Sequence, residues 1–89
     1  MMRYPIVIHK DPSSDYGITV PDLPGCFSAG ESLNEALENA AEAVKCHVEG
    51  LSIDGEAIPS PLTIETHRGN PDLSDGIWAL VDVDLSNYP

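Results

Sequence analysis

Positive charge is scarce in this chain. Lys and Arg together number 4, against 15 Asp and Glu, for a formal net charge of −11. That argues against direct contact with a phosphate backbone, which needs Lys and Arg to displace counterions. The same field steers the chain toward a basic partner and repels another anion; in the plainer reading it only confers solubility. Cysteine is scarce too. Cys26 and Cys46 stand far apart, with no C-x-x-C and no close Cys/His pairing, so neither a zinc site nor a disulfide framework is signalled. No signal peptide is visible and no apolar run is long enough to cross a bilayer. The expected compartment is the cytoplasm, with both thiols reduced. At 89 residues there is room for one small domain. Such a domain buries roughly 60–65% of its unfolded surface, which leaves little for a deep cavity with its own supporting shell.

What is present divides into short elements. Tyr4-Pro-Ile-Val-Ile-His9 alternates as a strand does, with Tyr4, Ile6 and Ile8 on one face and Val7 on the other. Pro5 lacks an N–H and so belongs near a strand start or on an edge side. Lys10 to Asp15, KDPSSD, is turn chemistry, and Tyr16 to Val20 is a second strand, which predicts an antiparallel hairpin. Cys26 to Ala29 is a weaker third strand closed by Gly30. Ser32 and Glu35 form an S-x-x-E capping box. Behind it Leu33, Leu37, Ala40, Val44, Val48 and Leu51 make an apolar stripe, widened by Ala36 and Ala43, with Glu35, Glu38, Glu42 and Glu49 opposite. The helix is expected to end at Gly50 or to run on to Gly55 as its C′ residue; Leu51 and Ile53 favour the longer form. Ile58-Pro-Ser-Pro61 reads as extended, and a helical turn is weakly indicated near Thr63 to Arg68. Ile77 to Leu85 is a strong last strand. Ile77, Ala79, Val81, Val83 and Leu85 share one face; Trp78, Leu80, Asp82 and Asp84 share the other. The order β-β-β-α-β predicts an α+β two-layer sandwich: a mainly antiparallel sheet covered by one long helix.

Few residues carry chemistry. A nucleophilic Cys26 needs a base within reach and a lowered pKa. His9, His47 and His67 are the available bases, but small buried cysteines usually behave as plain apolar residues. Asp82 and Asp84 point to the same side of a strand. They read either as a Mg²⁺ or acid–base pair or as a charged, solvated strand end. Trp78 shares their face, as a half-buried packing residue or as a partner contact. Val20 to Cys26, VPDLPGC, is stiffened by Pro21 and Pro24 and turned by Gly25. Stiffness lowers the entropy lost on docking but supplies no reactive group.

Taken together, strand–turn–strand, PDLPGC, GES, the capped helix EALENAAEAV, IPSP and the terminal IWALVDVDLS resemble the N-terminal domain of HicB-type antitoxins of HicA–HicB toxin–antitoxin systems. The resemblance covers nearly the whole chain, residues 1–89. It implies a partial RNase H-like fold that binds and masks a small basic HicA-type toxin ribonuclease, one bearing an essential histidine. Enzymatic activity is not expected, because the first strand, YPIVIH, lacks the carboxylate an active ribonuclease of that fold places there. No cofactor is implied. On this reading the toxin contacts are Tyr16, Asp22, Leu23, Pro24, Trp78, Asp82 and Asp84, and the chain is expected to form a homo-oligomer. Family members usually continue into a DNA-binding domain. This chain stops at Asn87-Tyr88-Pro89, so DNA contact is expected only through a domain not present here. Two alternatives stay open: a metal-dependent RNase H-like nuclease using Asp82 and Asp84, and a stand-alone oligomerisation module pairing through the first or last strand.

Overall fold

A computed structural model describes residues 2–73 and 76–84. Four strands, β1 (Met2–Lys10), β2 (Tyr16–Thr19), β3 (Phe27–Gly30) and β4 (Ile77–Val83), form one sheet in the order β3-β2-β1-β4. Every neighbouring pair is antiparallel. The first three strands are the expected meander, and β4 joins the free side of β1. The register places Tyr4 opposite Val81, Ile6 opposite Ala79 and Ile8 opposite Ile77. With period-two alternation this puts Tyr4, Ile6, Ile8, Ile18, Val81 and Val83 on one face, and all six are buried. Pro5 is tolerated inside β1 because the ladder with β2 begins only at Val7. At Pro5 the strand has a neighbour, Leu80, on one side alone, which leaves an open side of the kind that tolerates proline.

The helix α1 (Leu33–Ile53) lies across that face. Ser32 caps it: its Oγ accepts from the Glu35 N–H at 3.1 Å. The reciprocal half of the capping box is displaced by one residue, since the Glu35 carboxylate accepts from the Glu31 N–H at 3.4 Å. At the other end Asp54 is the C-cap and Gly55 takes φ +72°, the left-handed C′ position that glycine adopts without a Cβ clash. Gly50 is therefore absorbed inside the helix. The residues pressed on the sheet are Ala36, Ala40, Val44 and Val48, each fully buried. Leu33, expected in the stripe, is 41% exposed. Ala36 holds the contact instead, because the helix start comes too close to the sheet for a larger residue. A Cβ on Gly30 would stand 2.4 Å from the Ala36 nitrogen.

The reverse face is covered as well, which the pattern did not foretell. Pro5 and Val7 are both buried, although they point away from α1. The cover is a strap that follows α1. Its first part, which includes Ile58 to Pro61, is neither helix nor strand. It then forms a four-residue turn of helix, α2 (Ile64–His67), capped by Thr63, and a single 3-10 turn at Pro71–Leu73. The last strand is described to Val83, followed by exposed Asp84; Leu85 lies outside the described residues.

The tight helix–sheet approach makes a direct prediction. Gly30→Ala forces a methyl against helix backbone that cannot move independently, so it should cost about 1–3 kcal/mol, the usual range for overpacking. Urea unfolding should show a lower midpoint with an unchanged m-value. An unaltered midpoint would show that the helix start can withdraw from β3 without loss.

Candidate functional site

The VPDLPGC loop folds on itself. The Leu23 N–H donates to the Val20 carbonyl at 3.1 Å, the Cys26 N–H to the Leu23 carbonyl at 2.9 Å, and the Val20 N–H to the Cys26 carbonyl at 3.1 Å. Gly25 takes φ +87° at the tip. Two successive turns thus drive Leu23 inward, where it is fully buried, and leave Pro24 exposed.

They also carry Asp22 inside. Its Oδ1 accepts from the Leu62 N–H at 3.0 Å and lies 3.0 Å from His67 Nε2. The His67 contact has ion-pair distance but not hydrogen-bond alignment, and Asp22 Oδ2 has no hydrogen-bond partner among the described residues. The two side chains are only 4% and 14% exposed. Beside them Tyr4 donates from its hydroxyl to the Pro59 carbonyl at 2.9 Å. Burial, with the Asp22 charge second, raises the Tyr4 phenol above its ordinary pKa of 10.0. His67 stacks on Trp78, centroids 6.2 Å apart and planes 8° apart. Asp22, Tyr4 and Trp78 are therefore three anchors that hold the strap against the sheet.

The seven residues expected at a toxin contact do not converge. Tyr16 sits half-buried at the hairpin, with the Lys10 ammonium 5.6 Å from its ring centre. Asp22 and Leu23 are interior residues: their side chains serve the fold and are not on the surface. Trp78 is half-buried under His67, while Asp82 and Asp84 are exposed at the far end of β4. Arg3 donates from Nε to Asp82 Oδ1 at 2.7 Å across the β1–β4 ladder. Among the described residues no group of three or more His, Cys, Asp or Glu converges as metal ligands. Cys26 is buried, and that burial raises its thiol above the ordinary 9.0, which keeps it protonated and weakly nucleophilic. No helix among the described residues is long and apolar enough to cross a membrane.

Sequence reasoning missed the Asp22–His67 pair. The two are 45 positions apart, and neither the PDLPG motif nor the polar run around His67 points to the other. A weak signal was available: Asp22 is the one charged residue in an otherwise apolar, proline-stiffened loop.

The model of a family described as the HicB-like antitoxin of bacterial toxin–antitoxin systems matches residues 4–89. The chain belongs to the HicB-like antitoxin family. It is 46% identical over 86 residues to an uncharacterized 14.9 kDa protein from the rep-hol intergenic region of Haemophilus phage HP1. That match takes in 97% of this chain but only 64% of the phage protein, so the chain spans less than two thirds of that relative. Among solved structures it resembles the Burkholderia pseudomallei antitoxin HicB, with TM-score 0.86 and 44% identity, covering 100% of this chain and 68% of that one. It also resembles a chain of a HicA3 and HicB3 toxin–antitoxin complex, with TM-score 0.78 and 35% identity, covering 93% and 99% respectively. The four-stranded antiparallel sheet with one long helix is thus the fold of HicB antitoxins.

For this HicB-like chain the buried anchors give a testable consequence. Asp22→Ala leaves the Leu62 N–H without its acceptor and should cost about 1–3 kcal/mol. Tyr4→Phe should cost about 1 kcal/mol near neutral pH, through the lost bond to Pro59. It should also change the alkaline limb. A raised folded-state pKa means that stability is fully present below pH 10.0 and falls as pH rises from there through the higher folded value. Denaturant titrations at rising pH should show a shallower alkaline fall in Tyr4→Phe than in wild type. Identical slopes would remove Tyr4 as the group responsible.

Proposed function

We propose that this chain neutralises a small, basic HicA-type ribonuclease by covering its RNA-binding surface, without doing chemistry of its own. The observation that carries the reading is the likeness to a chain solved within a HicA3 and HicB3 complex. Charge supports it independently. A net charge of −11 favours encounter with a cationic protein. Four of the 15 acids stand along one helix surface: Glu35, Glu38, Glu42 and Glu49 are all exposed on α1, with Lys45 among them. The contact on this reading uses the exposed members of the expected set, Pro24, Asp82 and Asp84, with Tyr16 and Trp78 offering partial surface. Asp22 and Leu23 contribute by holding the loop and strap in shape. Self-association into a dimer or larger assembly in the cytoplasm completes the reading.

The nuclease alternative gains no support from the site. Asp82 is engaged by Arg3, and the buried Asp22 is committed to Leu62 and His67.

The decisive experiment mixes the purified chain with an equimolar HicA-type toxin and follows RNA cleavage. RNA should survive, and association should slow as salt rises, since surface charges are screened beyond about 8–10 Å at physiological ionic strength. Continued cleavage at equimolar dose ends the neutralisation reading. Mg²⁺-dependent cleavage by the chain alone ends the non-catalytic one.

A further inference from the structure

The sheet ends in β3 on one side, and that edge is open. The phase of its hydrogen bonds fixes which backbone groups face outward. The Val20 N–H donates to the Cys26 carbonyl, and the same register continues through Ile18 with Ser28 and Tyr16 with Gly30. Bonded and non-bonded pairs alternate along an antiparallel ladder, so the residues between, Phe27 and Ala29, turn their N–H and C=O groups away from β2. Asn39 agrees with that phase: its Nδ2 donates to the Ala29 carbonyl at 2.8 Å. The Phe27 N–H, the Phe27 carbonyl and the Ala29 N–H are left pointing outward, and no described residue bonds them. Such a set of unpaired donors and an acceptor is what an added strand pairs with.

The side chains on the two flanks of this edge select an occupant. Ser28 bonds the Ala36 carbonyl and Gly30 packs on Ala36, so both face α1. Phe27 and Ala29 therefore point to the other face, where Phe27 is 65% exposed and Ala29 is exposed beside it. On the helix flank, Glu35 and Glu42 lie four residues before and three after Asn39, so they share its row on the helix surface, and both are exposed. Glu31 adds an exposed carboxylate just past the end of β3. Of the nearby bases, Lys45 lies farther round the helix and Lys10 is held over the Tyr16 ring. An open edge under a row of carboxylates repels nucleic acid, and it repels a second copy of itself, because like charge would meet like charge. It favours an extended segment that carries Lys or Arg. Pro24 and Tyr16, both expected at the toxin contact, border this edge: Pro24 in the loop that enters β3, Tyr16 opposite Gly30 at its end.

We propose that β3 receives an extended, basic segment of the toxin as an added strand, paired to Phe27 and Ala29. Period-two alternation gives that segment a pattern: apolar side chains toward Phe27, and Lys or Arg side chains toward Glu35 and Glu42. Backbone pairing holds the segment, and the two flanks choose its sequence. Asn39 keeps the Ala29 carbonyl occupied, which limits the pairing to a short strand and blunts the edge against indiscriminate partners. The inference rests on the toxin reading and deepens it, by assigning the way in which the contact is made.

Amide hydrogen exchange of the full chain, alone and with a purified HicA-type toxin, reads the pairing directly. The Phe27 and Ala29 amides should exchange fast in the free chain and about tenfold or more slower in the complex. The Ser28 amide, on the β2 side, should be protected in both. Ala29→Pro removes an outward N–H without touching a bond to β2, so it should keep its circular dichroism spectrum and weaken toxin binding about tenfold. Phe27→Ser, on an exposed side chain, should weaken it about three- to tenfold. Glu42→Lys should slow association at low salt and match wild type at high salt. Toxin that binds the wild-type chain without slowing the Phe27 and Ala29 amides overturns strand addition and leaves neutralisation standing. A folded Ala29→Pro that binds at wild-type strength does the same. Slowing of those amides in the chain alone as its concentration rises overturns the choice of occupant, since the edge then belongs to a second copy. Failure of the wild-type chain to bind the toxin at all ends both readings.

Discussion

One buried carboxylate sets the shape of the reverse face. Asp22 enters the interior because Leu23, its neighbour, is driven into the core by two successive turns. Once there, the carboxyl needs partners, since a buried polar group without them is costly. The partners it takes, the Leu62 N–H and His67, both come from the strap. Tyr4 adds a third tie at Pro59. The chain between α1 and β4 carries few apolar residues, and these contacts tie it to the rest of the domain. Without these polar ties it would have little reason to cover Pro5 and Val7.

The consequence is a domain with two unlike sides. On one, α1 presents glutamates to solvent and presses a row of small residues on the sheet. Glycine at 30 and alanine at 36 set the spacing at the helix start, and Ala40, Val44 and Val48 continue the buried row. On the other, a strap with one turn of helix leaves leucines half exposed around Trp78.

Much of the fold is legible in the residue pattern. Tyr4, Ile6 and Ile8 alternate and face the core as strands require, the S-x-x-E signal marks the helix start to the residue, and Gly55 stops it. The reading failed where the deciding quantity is a distance between elements. Leu33 fits the apolar stripe by spacing, but a helix start pressed on Gly30 has room only for Ala36. Leu23 was expected among the toxin contacts; two successive turns point it into the core instead.

Residue order alone marks the strands, the long helix with both its ends, and the resemblance to the family. Those depend on local periodicity, capping and charge, and all are written within a few residues of one another. That Asp22 is an internal anchor, and that His67 beside it stacks on Trp78, emerges solely from the assembled fold. Contacts between residues 45 and 11 positions apart leave no periodic trace, because nothing in local chain geometry couples them until the sheet and the strap are assembled.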